Sequence, residues 1–248
     1  MTAVVLATVV AVRELSPSFR RVTLSGCAGL ETGGYDQRIK ILLARPGQDE
    51  PLLPPADDWY GVFCAMPLDV RPVMRTFTIR AQRGDLLDIE FALHGDTGPA
   101  SVWARAARPG SVLGIIGPQP GDQKTLLYSP TDADWQLLAG DDTALPALTT
   151  IIESLPAGTT ARAYVQVPDA GDVRDFDTAA DLEVTWTIGA GLANAVGDSK
   201  FPGGTAYAWI AAETALVRDL RRYLTKDLGW PSKPHYFGGY WQAGQVGG

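Results

Sequence analysis

The sequence predicts a two-domain chain of the β plus α/β class: an antiparallel β domain up to residue 129, then an α/β domain with a mainly parallel sheet from residue 130. Three observations predict it. Before residue 130 the apolar residues recur with period two, or in short Val/Ile/Leu runs broken by turn residues. After it the rhythm becomes strand, turn, helix, the pattern of parallel strands joined by crossovers. Between them lies Ser129–Asp134, whose Ser-Pro-Thr-Asp suits a linker.

Taken in order, Val4–Leu15, Arg20–Ser25, Arg38–Leu43, Arg75–Arg80, Leu87–His94 and Ser111–Gly117 read as six strands, with one helix over Ala100–Ala107. Six strands with turn punctuation make a barrel or a sandwich. In the second half, Trp135–Ala139 is a short apolar strand and Gly140-Asp141-Asp142-Thr143 a turn with a helix cap. Ala144–Leu155 has apolar residues at helical spacing. Strands follow at Ala161–Val167, Leu182–Ile188 and Ala206–Ala211, then an amphipathic helix over Glu213–Leu228 and a terminal strand near His235–Phe237.

With 248 residues, 46% of them hydrophobic, the chain is long enough to bury a substantial core. The opening run Ala3–Val12 is too short to span a bilayer and has neither the basic start nor the cleavage site of a signal peptide. It reads as a strand, and the protein as cytoplasmic, with no membrane insertion. A net charge of −7 argues against nucleic acid, which needs a basic face. The two cysteines, Cys27 and Cys64, read as ordinary buried thiols, and with only two histidines no resident metal centre is expected.

Three stretches carry chemistry. In Arg75-Thr76-Phe77-Thr78-Ile79-Arg80 the strand alternation sends Thr76 and Thr78 to the face opposite Phe77, offering a ring, hydroxyls and backbone groups to a planar ligand. Arg75 offers a planar fork of donors to a phosphate. A solvated strand with flanking arginines is the plainer explanation of the hexamer alone. Gly95, Gly98 and Pro99 form a turn, and Ala100-Ser101 open a helix whose start is bounded by small residues, a natural anion site. A capped helix packed on the β domain accounts for Ser101 but not for the run without bulk. Gly140-Asp141-Asp142-Thr143-Ala144-Leu145-Pro146-Ala147 falls where the first βα turn of a nucleotide domain presents its amides, although its two acids make direct diphosphate contact less obvious. Pro146 is tolerated in a first helical turn.

These stretches, with Ser16-Pro17-Ser18-Phe19-Arg20-Arg21-Val22-Thr23-Leu24, Leu93-His94-Gly95, Gly98-Pro99-Ala100-Ser101-x-Trp103-Ala104, Ala208-Trp209-x-Ala211-x-Glu213 and Gly239-Tyr240-Trp241, closely resemble the siderophore-interacting protein family. Its members are FAD-dependent ferric-siderophore reductases related to ferredoxin-NADP reductases, and the likeness runs in order along almost the whole chain. It implies a six-stranded antiparallel Greek-key β-barrel binding FAD over residues 1–129 and an NAD(P)H-binding α/β domain over residues 130–248. It further implies that Arg75 holds the FAD pyrophosphate and Thr78 lies near flavin N5, with Thr76, Phe77 and Arg80 completing the stretch. His94, Gly98, Pro99, Ala100 and Ser101 would line the same cofactor. Phe77 stands where the family usually has Tyr, so one hydroxyl hydrogen bond is missing.

Gly140, Asp141, Thr143 and Ala144 belong to the nucleotide turn of that family pattern. Trp241 reads as a cover on the flavin or nicotinamide or as an interdomain seal, and Glu213 as a cofactor-side acid or simply a favourable charge at a helix start. The implied chemistry needs no acid–base dyad: NADH, NADPH or a ferredoxin supplies electrons, and the flavin passes them singly to Fe(III) in a bound chelate. Lys40 in Arg38-Ile39-Lys40-Ile41 matches the family's substrate lysine. The family often has Arg or Lys after Tyr-Trp, whereas Gln242 follows here; Lys233 is the candidate to compensate. The expected partner is a ferric siderophore, and the expected state a monomer. Gln242 keeps in view a generic flavin or ferredoxin-type reductase with another acceptor; a flavin-binding module without turnover is the third reading.

Overall fold

The computed structural model describes residues 2–93, 98–121, 126–130 and 132–244. The chain forms two compact units, divided between Leu126 and Leu127.

The N-terminal unit is one antiparallel sheet with strand order β4-β3-β7-β1-β2-β6-β5. Its strands are β1 (Thr2–Ser16), β2 (Phe19–Ser25), β3 (Arg38–Leu43), β4 (Val73–Thr78), β5 (Ala81–Arg83), β6 (Leu86–Ala92) and β7 (Val112–Pro118). The fifteen-residue β1 serves two neighbours: Thr2–Thr8 pairs with β7, and Thr8–Ser16 with β2, across bulges that bend the strand. The expected count of six becomes seven because the predicted strand Arg75–Arg80 changes partner partway. Ile79 N–H still donates to Gln37 C=O on the β3 side, whereas Arg80 N–H donates to Asp88 C=O in β6. The one ribbon Val73–Arg83 thus runs from one edge of the sheet to the other and curls it into the barrel. Alternate residues meet inside, among them Val9, Val22, Leu24, Ile39, Ile41, Ile89, Phe91 and Leu113.

Helix α1 (Trp59–Ala65) was not predicted; its seven residues bury only Phe63, too little for a periodic signal. Asp58 caps it, accepting from Gly61 N–H at 3.3 Å. Phe63 packs with Leu42 and Ile116 on the outer face of the sheet. The expectation of two buried thiols is corrected here: Cys27 is buried, but Cys64 lies on the exposed side of α1. Helix α2 is Pro99–Ala106.

The C-terminal unit is a five-stranded, wholly parallel sheet of order β10-β9-β8-β11-β12, comprising β8 (Trp135–Gly140), β9 (Thr160–Val167), β10 (Asp181–Ile188), β11 (Ala206–Glu213) and β12 (Tyr236–Trp241). All six residues of β8 are buried, as a central parallel strand requires. Helices α3 (Leu145–Glu153), α4 (Leu192–Gly197) and α5 (Thr214–Arg222) connect the strands, and α5 runs on as a wider turn over Tyr223–Asp227. β12 extends to Trp241 rather than ending at Phe237. Gly238-Gly239 hid the continuation from strand propensity. A Cβ on Gly239 would sit 2.6 Å from Thr214 Oγ1, so glycine lets the strand pass under the first turn of α5. Among the described residues no helix is long and apolar enough to cross a membrane.

Candidate functional site

In the N-terminal unit the predicted residues gather at the edge strand β4. Arg75 pairs with Ile41 and Phe77 with Ile39, so both side chains stand on the core-facing side of the sheet. Because Ile79 N–H donates to Gln37 C=O, alternation makes 77/39 and 75/41 the hydrogen-bonded pairs. The backbone groups of Thr76 and Thr78 therefore point away from β3. Thr76 is exposed and Thr78 only 6% exposed. Arg75 is half-buried; one of its Nη groups donates to Met74 C=O at 2.8 Å, and burial lowers its pKa from the usual arginine value. Lowering by desolvation means the cation lacks its full share of water, which an anion would replace.

Phe77 lies 4.5 Å from Phe91, and Phe91 5.5 Å from Trp103 of α2, centroid to centroid. This aromatic chain ties the helix to the strand. Ala100 and Ala104 of α2 share the core with Phe77. Arg20 fixes the far end of α2, donating to Ala104 C=O and to Arg105 C=O at 2.6 Å. At the near end Gly98 is the cap residue, with no side chain of its own to offer, and Pro99 is the first helical residue. Gly98 has φ −76°, and among the described residues the atom nearest an added Cβ would be Ser101 Oγ at 3.7 Å. Neither backbone strain nor crowding requires glycine there. Among the described residues, room beside Gly98 at the start of α2, a half-desolvated guanidinium on the same side of the sheet and an open strand edge fit a flavin dinucleotide. Ser101 is buried and donates to Ala92 C=O at 3.4 Å. His94 and Gly95 lie outside the described residues.

Arg80 has an internal role. With Arg21 it neutralises Glu90, a carboxylate 1% exposed, at 3.3 Å and 2.6 Å respectively. Lys40 stands on the other face of the sheet from Arg75, paired with Thr76 and Ile116, and its Nζ donates to Thr76 Oγ1 at 2.6 Å. Burial, and then the nearby Arg38, lower its pKa. A cation so placed gains from an approaching anion. Leu53, Trp59 and Met74 flank this face; the sequence reading named none of them, and the only signal for Trp59 was the Trp-Tyr pair after two aspartates.

In the C-terminal unit four predicted residues converge where strands β8, β11 and β12 end. Asp141, 2% exposed, accepts from Thr143 N–H (3.0 Å) and Thr143 Oγ1 with one oxygen. The other accepts from Glu213 N–H (2.9 Å) and Trp241 Nε1 (2.7 Å). Glu213 caps α5, accepting from Ala215 and Leu216 N–H, and also receives Ala243 N–H at 3.3 Å. The Leu216 bond leads in holding its carboxyl below the usual range. Thr214 Oγ1, absent from the predicted set, donates to Trp241 C=O at 2.8 Å. Gly140 is demanded by packing: an added Cβ would lie 2.7 Å from both Ala144 Cβ and Ala211 O. Lys233 is not brought to this cluster. It is exposed and precedes β12, at the opposite end of the strand, about 17 Å of strand rise from Trp241.

Among the described residues no group of three or more His, Cys, Asp or Glu is arranged to hold a metal ion. Residues 8–122 match the siderophore-interacting FAD-binding domain, and residues 133–244 the siderophore-interacting protein model. A siderophore utilization protein from T. fusca is 32% identical, with a TM-score of 0.85 over 98% of this chain and 94% of its own. The NADPH-dependent ferric-chelate reductase of Escherichia coli is 29% identical over 251 residues, 95% of this chain and 92% of that protein. The ferredoxin reductase of carbazole 1,9a-dioxygenase, at 16% identity and TM-score 0.68 over 97% of this chain and 68% of its own, shares the fold. The motifs, the order of the two units and both domain matches lead to one conclusion: the chain belongs to the siderophore-interacting protein family.

Proposed function

We propose that the protein reduces ferric siderophores with electrons from NADPH or NADH carried by FAD. Residues 1–129 would bind FAD and residues 130–248 the donor. When bound, FAD supplies the chemistry of accepting a hydride and yielding electrons singly. The chain's own residues do the holding. Arg75 and the amides at the start of α2, beside Gly98, Pro99, Ala100 and Ser101, neutralise a diphosphate from two sides. Phe77 and the outward backbone groups of Thr76 and Thr78 line the ring, and Arg80 acts through the Glu90 pair that stiffens this wall. Lys40 meets the anionic chelate. Fe(II) is held far more loosely than Fe(III) by such ligands, so reduction favours release.

The observation that carries this reading is the β4 edge: a half-desolvated arginine and an aromatic ring on one face of a strand whose next hydrogen-bonding edge is open, tied by Phe91 to a helix that starts among small residues. The name of the Escherichia coli relative supports an iron chelate as acceptor and NADPH as donor. An exposed free Cys64 suits a reducing cytoplasm, where we place the reaction, carried out by a monomer. A ferredoxin is the alternative donor.

Anaerobic titration of the FAD-loaded protein with NADPH and NADH, followed by ferric chelates, tests the proposal. Bleaching of the flavin by a nicotinamide and its recovery on adding a ferric siderophore are expected. Bleaching without recovery would reassign the acceptor, and no bleaching by either donor would remove the nicotinamide reading.

A further inference from the structure

We infer that Asp141, placed by its motif among cofactor contacts, is a positioning residue that holds the Trp241 indole as a fixed platform for the nicotinamide-bearing donor. The inference rests on the donor reading above.

A carboxylate has about four acceptor positions. Those of Asp141 are met by Thr143 N–H, Thr143 Oγ1, Glu213 N–H and Trp241 Nε1, and the residue is 2% exposed. Nothing is left to offer a ligand. The four donors come from three places: the turn after β8, the junction of β11 with α5, and the end of β12. Asp141 thereby locks together the carboxyl ends of strands β8, β11 and β12, the place where open α/β sheets bind ligands.

Trp241 shows the consequence. Its N–H is directed at a buried carboxylate, yet the residue is 45% exposed, so ring surface rather than the polar atom meets solvent. Its backbone C=O accepts from Thr214 Oγ1, and two residues on the N–H of Ala243 donates to Glu213. An exposed indole is ordinarily free to change rotamer; this one is held by a charge-assisted bond at its far end. A flat heteroaromatic ring that stacks on a pre-set indole avoids the ordering cost it would otherwise meet. That cost corresponds to about three- to tenfold in affinity for one side chain.

Two variants test this. Asp141→Asn keeps the shape but turns an amide N–H toward one pair of donors; Trp241→Phe keeps a ring and removes the N–H. In the ¹H–¹⁵N spectrum of the flavin-free protein, the Trp241 indole signal is identified among seven tryptophans by its loss in Trp241→Phe. It should be shifted downfield and slow to exchange in the native chain, and lose both properties in Asp141→Asn. An unchanged indole signal in that variant overturns the anchor. In the FAD-loaded protein, calorimetric titration with NADP⁺ and NAD⁺ should show about three- to tenfold weaker binding for each single variant. The double variant should be no weaker than Trp241→Phe alone. Additive losses, or native affinity in Trp241→Phe, would show that Asp141 does not act through the indole. Should Asp141→Asn fail to fold, Trp241→Phe alone still decides. A native protein whose flavin neither donor reduces would sink the preceding proposal, while the indole spectra would still judge the anchor.

Discussion

At the β4 edge, Arg75 and Phe77 project from a strand and retain donors and ring surface for something outside the protein; at the carboxyl ends of β8, β11 and β12, Asp141 and Glu213 direct their oxygens to the protein's own donors. Both sets came from motifs of equal standing in the sequence. The difference lies in desolvation. Arg75 is partly desolvated with one described hydrogen bond, to Met74 C=O, whereas Asp141 is buried with its acceptors filled. A motif residue that is buried and satisfied builds a site, and one that is buried and under-solvated awaits a ligand. This also explains how Asp141 can occupy a turn proposed to face a nucleotide: its charge is already met by donors.

The widest gap should appear on removing the ligand-seeking side. Arg75→Ala is expected to weaken FAD about 10- to 100-fold, the scale of charge-assisted hydrogen bonds lost from a diphosphate. Flavin absorbance of the gel-filtered protein against its concentration reads this directly. Stoichiometric flavin retained after the change would mean that the diphosphate is held elsewhere. The unfolding midpoint should move little, since Arg75 makes only a bond to the adjacent Met74 carbonyl among its described hydrogen bonds.

The builder side should respond in the opposite way, through stability. Gly140→Ala places a Cβ 2.7 Å from Ala211 O and from Ala144 Cβ, and 3.0 Å from Leu148 Cδ1. The backbone carbonyl cannot step aside as a flexible side-chain tip would. Overpacking of this kind costs about 1–3 kcal/mol. Chemical denaturation should show the loss in the C-terminal unit, with FAD content unchanged; equal loss of flavin would erase the distinction between the two regions.

The same contrast explains what the sequence made legible. Strands with period-two alternation and the buried run of β8 were readable because their environment is set by the neighbours on one or two faces. The partner change at Ile79–Arg80 was not, since both halves of the ribbon look equally like strand. Nor was the end of β12, where the need for Gly239 comes from Thr214, twenty-five residues away in sequence. At the C-terminal cluster the motifs singled out Asp141, Glu213 and Trp241 separately, but that Glu213 and Trp241 both approach Asp141 is something no local pattern encodes. The place of Lys233, before the start of β12 and away from Trp241, was hidden for a related reason: closeness in sequence to a strand says nothing about which end of it a residue occupies.

A smaller effect is expected at Lys40, which sharpens the first region by separating its two faces. Lys40→Met should reduce affinity for an anionic ferric chelate about three- to tenfold while leaving FAD content intact, because Arg75 and Phe77 lie on the reverse of the same strands. Chelate binding followed by quenching of protein fluorescence would measure it. Loss of flavin in this variant would assign Lys40 to the cofactor instead.

The smallest expected effect is a pH dependence of the C-terminal unit. His235 Nδ1 accepts from Ala208 N–H at 3.1 Å, among the rings of Tyr207, Trp230 and Phe237. Burial lowers its pKa from the ordinary imidazole value, only partly opposed by a backbone bond with Pro231. Above about pH 6.5 the ring is neutral in folded and unfolded chains alike and its contribution is complete. As pH falls from there to the depressed folded value, the unfolded chain takes up a proton that the folded one refuses, so stability declines; below that value the loss levels off. Urea denaturation from pH 8 to pH 5 should therefore reveal a decline that His235→Gln flattens. A decline surviving that substitution would place the titrating group elsewhere.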